Sequence, residues 1–244
     1  MAQIKLVALD MDGTLLDDDL AVSAANREAI TSALQKGVHV VLSTGRFITS
    51  AREYAESLGL KDYIVSSNGG EVWNEADELV ERHVIPTAKV AWLRDVGKQH
   101  EVRYWGTTTD GFKHWPNFPE DIAAYDWLKV GFSTEDDRAR QKVWDTLQAE
   151  GHFELTNSTP INIEVNPKGV NKATGLEMVC RRLSISMANV MAVGDSLNDR
   201  AMIKAAGCGV AMGNAQQQIL DEADWVTGTN TEDGVAQAIH QWVL

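Results

Sequence analysis

The segment IKLVALDMDGT, residues 4–14, joins a short apolar run to two acidic residues and a glycine. The run 4–9 is typical of a strand that is buried on both faces of a parallel sheet. Asp10 and Asp12 come at its end, and Gly13 permits a sharp turn behind them. Two carboxylates at the end of a buried strand are costly unless a cation or a catalytic role compensates. Taken alone, the segment also fits a helix-capping acid beside a surface acid.

The chain around this segment alternates strands and helices. Further apolar runs predict strands at 38–42, 63–67, 190–193, 209–212 and 225–226. Apolar residues at helical spacing predict helices between them. Ser23 is placed to cap the first helix, which Gly37 ends. Strands separated by helices of this length imply an α/β fold, with a parallel sheet and helices on both faces.

The middle of the chain follows another pattern. We predict, in order, a helix at 88–100, strands at 102–105 and 112–115, a loop with a short helix after Pro116 and Pro119, a helix at 135–150, and strands at 152–156 and 161–165. Helix-strand-strand therefore occurs twice, which indicates an α+β module inserted into the α/β domain. We place the core domain at 1–85 and 167–244 and the inserted domain at 86–166.

Composition and charge exclude several classes of protein. The 244 residues carry 22 basic and 35 acidic side chains, which gives a formal net charge of −13. This charge argues against binding to nucleic acid or to anionic membranes, but not against a small anionic substrate. Cys180 and Cys208 form neither a disulfide framework nor a zinc set. The early acid at position 10 and the lack of long apolar runs predict a soluble, cytoplasmic protein without a signal peptide or membrane span.

Two more segments carry groups that suit an anion. Ser43-Thr44-Gly45-Arg46 offers a hydroxyl and free N–H groups before a helix, although an N-capping Thr with a solvated Arg is the simpler alternative. Lys172 opposes the dipole of the helix that it begins, and a nearby anion would offset this. A plain exposed lysine is the alternative there, and Lys168 is the rival candidate.

The segment GDSLND, residues 194–199, follows the predicted strand at 190–193. Its two acids, together with Asp10 and Asp12 on another strand of the same sheet, form an oxygen-rich cluster of the kind that suits Mg²⁺. A turn with an Asp–Asn cap is the alternative. Open parallel sheets bind ligands outside the carboxyl ends of their strands. The recurrence of acidic and polar segments at successive strand ends therefore favours one common site.

These segments resemble the four motifs of the haloacid dehalogenase superfamily of phosphatases, in the same order: DMDGT, STGR, the Lys of VNK, and GDSLND. Only 32 residues separate Asp12 from Thr44, whereas 128 separate Thr44 from Lys172, so the insertion lies between the second and third motifs. That arrangement resembles the Cof-type, class IIB branch, which has a Rossmann-like core and a cap of type C2 (C2b). SSNGG, AMGNA and EDGV also resemble that branch.

The resemblance implies a phosphatase of small phosphomonoesters such as sugar phosphates, flavin mononucleotide or pyridoxal phosphate. Asp10 would be the nucleophile that forms an aspartyl-phosphate, and Asp12 the general acid and then base, with a pKa above that of Asp10. The implied ligands of Mg²⁺ are Asp10, the backbone carbonyl of Asp12, Asp195, and Asp199 as a weaker ligand or as an acceptor that orients metal-bound water. The implied phosphate and substrate contacts are Met11, Thr44, Gly45, Arg46, Lys172 and Asn198.

The cap is expected to close over the site and to choose the leaving group. Candidates for contact with the leaving group are Trp105, His114 and Trp115 on the cap and Arg46, Asn68 and Gly69 on the core. Trp92 and Trp144 are instead expected to pack against the cap's own sheet.

Two other functions fit the same segments. One is a phosphotransferase or phosphomutase of this fold, in which a sugar hydroxyl replaces water. The other is a non-catalytic protein that binds a phosphorylated ligand. The acid at position 12 favours phosphoryl transfer over dehalogenation, because halide leaves without a proton. The sequence predicts a monomer or a weak homo-oligomer.

Overall fold

The structure is a computed structural model that describes residues 3–244; residues 1 and 2 of the predicted core domain lie outside it. Within this range the strands are β1 (Leu6–Leu9), β2 (His39–Ser43), β3 (Ile64–Ser66), β4 (Glu71–Trp73), β5 (Leu79–Arg82), β6 (Arg103–Thr108), β7 (Gly111–His114), β8 (Trp127–Ser133), β9 (Phe153–Thr156), β10 (Asn162–Pro167), β11 (Val190–Gly194), β12 (Cys208–Ala211) and β13 (Trp225–Val226). The helices are α1 (Ala24–Gln35), α2 (Ile48–Ser57), α3 (Thr87–Gln99), α4 (Asp137–Glu150), α5 (Lys172–Leu183), α6 (Arg200–Ala205), α7 (Gln217–Glu222) and α8 (Gly234–Trp242).

The larger sheet has the strand order β13-β12-β11-β1-β2-β3-β4-β5. Strand β1 lies in its interior, and Leu6 is in register with Val190 of β11 and with His39 of β2, both parallel. The six strands from β13 to β3 run parallel, as the sequence predicts. The hairpin β4–β5 was not predicted; it is antiparallel and extends one edge of the sheet.

Helices cover both faces of this sheet because its strands are apolar on both sides. Val7 and Leu9 of β1 pack into one buried cluster, which includes residues of α1, α2 and α8. Leu6 and Ala8 point to the opposite face and pack with residues of α5 and α6. The prediction of a fully buried first strand is therefore confirmed, and the carboxyl ends of the central strands are left free at one edge.

Local signals end the first helix as predicted. The Ser23 side chain accepts a hydrogen bond from the backbone N–H of Asn26, which caps α1. Gly37 follows the last turn with a positive φ of 76°, a conformation that glycine adopts without strain.

The smaller sheet is antiparallel and has the order β7-β6-β8-β10-β9. Helices α3 and α4 cover one of its faces and bury an apolar cluster that includes Val130, Phe132 and Val165. Trp92 and Trp144 pack against this cluster, as expected. The two repeated helix-strand-strand units are present, and the sheet forms the cap that the fold class requires.

The sequence prediction of a loop between the two units was wrong for residues 127–133. These residues form β8, which pairs with β6 on one side and β10 on the other and so holds the cap sheet together. The two prolines before it suggested an irregular segment, and Lys129 and Gly131 interrupt its apolar pattern. Both interruptions lie on the face that α3 and α4 leave uncovered, since Val130 and Phe132 alternate with them.

The two sheets divide the chain much as the sequence suggests, with the smaller sheet formed between residues 103 and 167. The boundaries at 85/86 and 166/167 stay a prediction. Every helix within residues 3–244 is too short or too polar to cross a lipid bilayer. Both cysteines are buried and unpaired.

Candidate active site

The site lies at the carboxyl ends of β1, β2 and β11, which are neighbours in the larger sheet. Asp10 follows β1 directly, and its backbone N–H donates to the carbonyl of Val193 in β11 at 3.0 Å. Its side chain is buried. Three of the four segments singled out in the sequence thus meet at one edge, and the fourth, at the start of α5, reaches it through Lys172.

Lys172 is fully buried and lies between two carboxylates. Its Nζ donates to Oδ1 of Asp10 and to Oδ1 of Asp199, each at 2.5 Å. Asn171 caps α5 by accepting from the N–H groups of Ala173 and Thr174, which fixes the first turn that carries the lysine. Lys168, the rival candidate, is exposed and donates to the carbonyl of Gly151.

Oxygens of Asp10, Asp195 and Asp199 all lie within 4.8 Å of one another. Burial, and then the charge of Asp199, raise the pKa of Asp10 well above its usual value, while Lys172 acts in the opposite direction. Burial and Asp199 also raise the pKa of Asp195 to about 6. Three carboxylates face one ammonium group, and this excess of negative oxygen ligands fits a hard divalent cation.

Asp10 and Asp12 lie in different surroundings. Asp10 lies beside Asp199 and Asp195 in a buried place, which disfavours its charged form. The Asp12 carboxylate points instead to Arg46, whose Nε and one terminal nitrogen donate to its two oxygens at 2.8 and 2.5 Å. Asp12 is about half exposed in this arrangement.

Asp199 also holds the loop that carries Asp195. Its Oδ2 accepts from the backbone N–H groups of Asp195 and Ser196, each at 3.0 Å. A Cβ at Gly194 would lie 2.4 Å from the Asp199 side chain, so this strand end must be glycine. Both carboxylate oxygens of Asp199 are thus engaged with protein groups. The hydroxyl of Thr14, which the sequence analysis did not single out, donates to Oδ1 of Asp195 at 3.0 Å.

The residues expected to bind phosphate surround this cluster. Thr44 is fully buried after β2, and its hydroxyl accepts from the backbone N–H of Arg46 at 3.1 Å. Asn198 is buried, and its Oδ1 has no hydrogen-bond partner among residues 3–244. The Met11 side chain lies in the core, so only its backbone is available to a ligand. Arg46 contacts Asp12 rather than the carboxylate cluster.

A second buried ion pair, absent from the sequence analysis, joins the cap to the core. Lys129 of β8 donates to Glu164 of β10 at 3.1 Å and to the carbonyl of Gly45 at 3.0 Å. Asn68 donates to the other oxygen of Glu164 at 2.6 Å. Burial opposes ionisation of Glu164, but Lys129 and Asn68 outweigh it and lower its pKa. The alternation Asn-Ile-Glu-Val-Asn at 162–166 was the available signal for Glu164, because it puts polar residues on one face of a strand.

The cap contributes aromatic side chains near this pair. The Trp105 ring lies 5.2 Å from that of Phe112, which in turn lies 6.1 Å from that of His114. Trp115 is about half exposed. The structure brings Trp105 to Lys129, whose Nζ is 5.2 Å from the ring centroid. Substrate contact by Trp105, His114 and Trp115 stays a prediction.

Comparisons with known proteins agree with this fold. A family model described as haloacid dehalogenase-like hydrolase matches residues 7–117 and 107–239. The chain is 50% identical to the 5-amino-6-(5-phospho-D-ribitylamino)uracil phosphatase YcsE of Bacillus subtilis (strain 168), over 99% of this chain and 96% of that protein. A haloacid dehalogenase-like hydrolase from B. subtilis superposes with a TM-score of 0.89 at 27% identity, covering 97% of this chain and 99% of that one. A subclass IIB sugar phosphatase shares the fold, with a TM-score of 0.87 at 22% identity and coverage of 97% and 98%.

Proposed function

This chain belongs to the haloacid dehalogenase-like hydrolases, in the Cof-type branch, and on that premise we propose a Mg²⁺-dependent mechanism through an aspartyl-phosphate on Asp10. The enzyme is a phosphoric monoester hydrolase that acts on small phosphorylated metabolites. One observation supports the mechanism above all: Asp10 ends the central strand, touches the buried Lys172 and lies beside two further carboxylates.

In the first step a carboxylate oxygen of Asp10 attacks phosphorus, and the bond from phosphorus to the ester oxygen breaks. Asp12 gives a proton to the departing alkoxide, so that an alcohol leaves and the phosphoryl group stays on Asp10. In the second step Asp12 takes a proton from water as the water attacks phosphorus. Inorganic phosphate leaves, and the Asp10 carboxylate is restored.

Asp12 has to leave Arg46 to do this work, because both of its oxygens accept from the guanidinium in this structure. Arg46 is itself held by Ser50, to which it donates at 3.1 Å, and its guanidinium lies over the Tyr54 ring. A fixed Arg46 can therefore hold the half-exposed Asp12 carboxylate until the leaving group of the substrate displaces one of the two hydrogen bonds between them.

Lys172 and the neighbouring donors stabilise the charge on the phosphoryl oxygens. Lys172 supplies a buried cation, Thr44 a hydroxyl and Asn198 an amide, and the backbone N–H groups of Met11 and Gly45 complete the set. Charge and positioning of this kind account for most of the catalysis in phosphoryl transfer.

The residues present fit Mg²⁺, with Asp10, Asp195 and the Asp12 backbone carbonyl as ligands. When bound, the cation neutralises negative charge on the carboxylates and on the substrate phosphate. Asp199 serves better as an orienting group than as a ligand, because Lys172 and two backbone N–H groups occupy its oxygens. It thereby keeps Lys172 and the Asp195 loop in place.

We propose 5-amino-6-(5-phospho-D-ribitylamino)uracil as the substrate, since the relative named for that activity is 50% identical over 99% of this chain. Its leaving group is a hydroxyl-bearing ribityl chain joined to a flat pyrimidine. The test is release of inorganic phosphate from this compound and from a panel of sugar phosphates, flavin mononucleotide and pyridoxal phosphate. Each is assayed with Mg²⁺ and with EDTA.

We expect turnover that needs Mg²⁺, is lost in Asp10→Asn and is kept in the matched control Asp18→Asn, whose side chain is exposed. Release that persists in EDTA or in Asp10→Asn would contradict the mechanism. A low rate on this compound beside a high rate on another panel member would contradict the substrate.

A further inference from the structure

The face of the cap sheet that α3 and α4 leave uncovered carries the buried pair Lys129–Glu164. Lys129 is only 3% exposed, and Glu164 is likewise 3% exposed. Val130 and Val165, the next residues on each strand, point the other way into the cap's apolar core. The pair therefore lies on the surface of the cap that meets the catalytic core.

Stability gives no reason for a charged pair at this place. Removing two charges from water costs several kcal/mol per ion, and well-packed apolar residues commonly serve as well or better. Here the pair needs further polar neighbours: Asn68 and Ser158 donate to Glu164, and Lys129 donates to the carbonyl of Gly45. We call this contact between cap and core, formed by Lys129, Glu164, Asn68, Ser158 and Gly45, the polar seam. Its hydrogen-bond donors and acceptors suit a polar ligand.

The seam lies next to the groups that we assign to phosphate. A Cβ built on Gly45 would meet Asn68 Oδ1 at 2.9 Å, Lys129 Nζ at 3.2 Å and Asn198 Nδ2 at 3.6 Å. Three side chains thus converge on the residue whose backbone N–H is to hold a phosphoryl oxygen. Within the described part of the chain, buried Asn198 also has an Oδ1 without a hydrogen-bond partner. On the cap side, Lys129 therefore lies next to the residue that we assign to the phosphate.

The ammonium group of Lys129 is fixed on a second side by Trp105. Gly131 makes room for the indole, since a Cβ there would lie 2.2 Å from the Trp105 ring. Trp105, Gly131 and Glu164 are opposite one another on three adjacent strands. The side chain of Lys129 is therefore ordered before any ligand arrives, which reduces the entropy that binding has to overcome.

We propose that Lys129, held by Glu164, binds a hydroxyl group of a polyol leaving group and so selects phosphorylated polyols among phosphomonoesters. The inference rests on the proposed function, since it concerns the leaving group of that reaction. The charges of the pair cancel, so that it offers a donor beside an acceptor, which matches a hydroxyl better than a second anionic group. The expected site of contact is the part of the substrate nearest to the phosphate.

The test compares two substrates in wild type and Lys129→Met. D-ribitol 5-phosphate has hydroxyls beside its ester, whereas p-nitrophenyl phosphate has none in its leaving group. We expect kcat/KM for ribitol 5-phosphate to fall about tenfold or more, as for the loss of a hydrogen bond to a charged group, and that for p-nitrophenyl phosphate to change little. Lys113→Met is the matched control, because Lys113 lies over the Tyr125 ring and outside the seam.

An equal fall for both substrates would overturn the proposal, because Lys129 would then fasten the cap or hold the phosphate. No fall for either substrate would overturn it as well. Lys129→Met leaves Glu164 without its cation and can unfold the cap. The double variant Lys129→Met/Glu164→Gln removes both charges. It must give the same change in the ratio of kcat/KM for ribitol 5-phosphate to kcat/KM for p-nitrophenyl phosphate.

Calorimetry on an Asp10→Asn background separates this proposal from the proposed function. Adding Lys129→Met should weaken binding of ribitol 5-phosphate about tenfold and leave binding of inorganic phosphate unchanged. Equal loss for both ligands, or no loss for either, would overturn the role of Lys129. Failure of the wild type to hydrolyse any phosphomonoester would instead count against the proposed function, and the calorimetry would still decide about Lys129.

Discussion

Replacement of Asp195 by Asn should stabilise the metal-free protein while it removes activity. The carboxylate of Asp195 is largely buried and faces Asp199, which together raise its pKa to about 6. The amide has nearly the same volume and still accepts a hydrogen bond from Thr14 or Ser196, which donate to the carboxylate at 3.0 and 2.7 Å. The substitution therefore removes a repulsion without opening a cavity.

The magnitude follows from the displaced pKa. Because the folded pKa, about 6, lies above the ordinary value of about 4, protonation of Asp195 favours the folded state. This contribution is complete below about pH 4 and is lost as the pH rises through about 6. The loss corresponds to about 2 pKa units, or about 3 kcal/mol. Since the amide loses one hydrogen bond, we expect Asp195→Asn to gain about 1–3 kcal/mol near neutral pH, which raises Tm by roughly 2–10 °C in a chain of this length.

Thermal unfolding followed by circular dichroism in EDTA, near pH 7 and near pH 4, measures this difference. The gain should be present near pH 7 and absent near pH 4, and Mg²⁺ should raise the Tm of wild type but not that of the variant. Asp18→Asn controls for the change in net charge. If Asp195→Asn is less stable than wild type near pH 7, the charge of Asp195 does not destabilise the metal-free fold. Equal stabilisation of both proteins by Mg²⁺ would contradict Asp195 as a ligand of the cation.

Three more predictions concern other residues of the site. Lys172→Met leaves Asp10, Asp195 and Asp199 without their buried cation. The free energy of unfolding near pH 7, measured with denaturant, should therefore fall by about 3–5 kcal/mol and recover in part as the pH falls. Lys168→Met is the control and should leave the free energy of unfolding almost unchanged. Gly69→Ala should lower the free energy of unfolding by at least about 3 kcal/mol, because φ is +90° and a Cβ would lie 2.2 Å from the Asn171 carbonyl oxygen. Gly59→Ala, where φ is +68° and the space is open, should lower it by only about 1–2 kcal/mol. Equal losses of stability would contradict this. Asp12→Asn should slow hydrolysis of alkyl phosphates far more than the first turnover of p-nitrophenyl phosphate, because nitrophenolate departs without a proton. Stopped-flow absorbance should then show a burst close to one equivalent of nitrophenolate. Absence of the burst would argue against Asp12 as the base of the second step.

The grouping of Asp10, Asp195 and Lys172 was predictable because its signals are local. A buried apolar run followed at once by an acid occurs at β1 and again at β11, and parallel strands bring such ends together whatever the rest of the fold. Lys172 was signalled by its unfavourable place at a helix N-terminus, and the structure explains this placement with two carboxylates at 2.5 Å. These features required no knowledge of distant contacts.

The seam between cap and core was not predictable in the same way. Lys129 interrupts an apolar run and reads as exposed unless its partner Glu164, 35 residues away, is known. The same interruption hid β8, whose pairing with β6 and β10 depends on tertiary context. The contact of Asp12 with Arg46 likewise depends on how β1 and the start of α2 approach each other, which no spacing within either segment specifies.

In the proposed mechanism the phosphoryl group resides on Asp10 between the two steps. Wild type and Asp12→Asn are mixed with p-nitrophenyl phosphate and Mg²⁺, quenched with acid, reduced with borohydride and digested for mass spectrometry. Borohydride reduces an aspartyl-phosphate to homoserine. We therefore expect the mass change from Asp to homoserine at position 10, strongest in Asp12→Asn and absent in EDTA or without substrate. Phosphate release without modification at position 10, or with modification at another carboxylate, would contradict the role of Asp10 as the nucleophile.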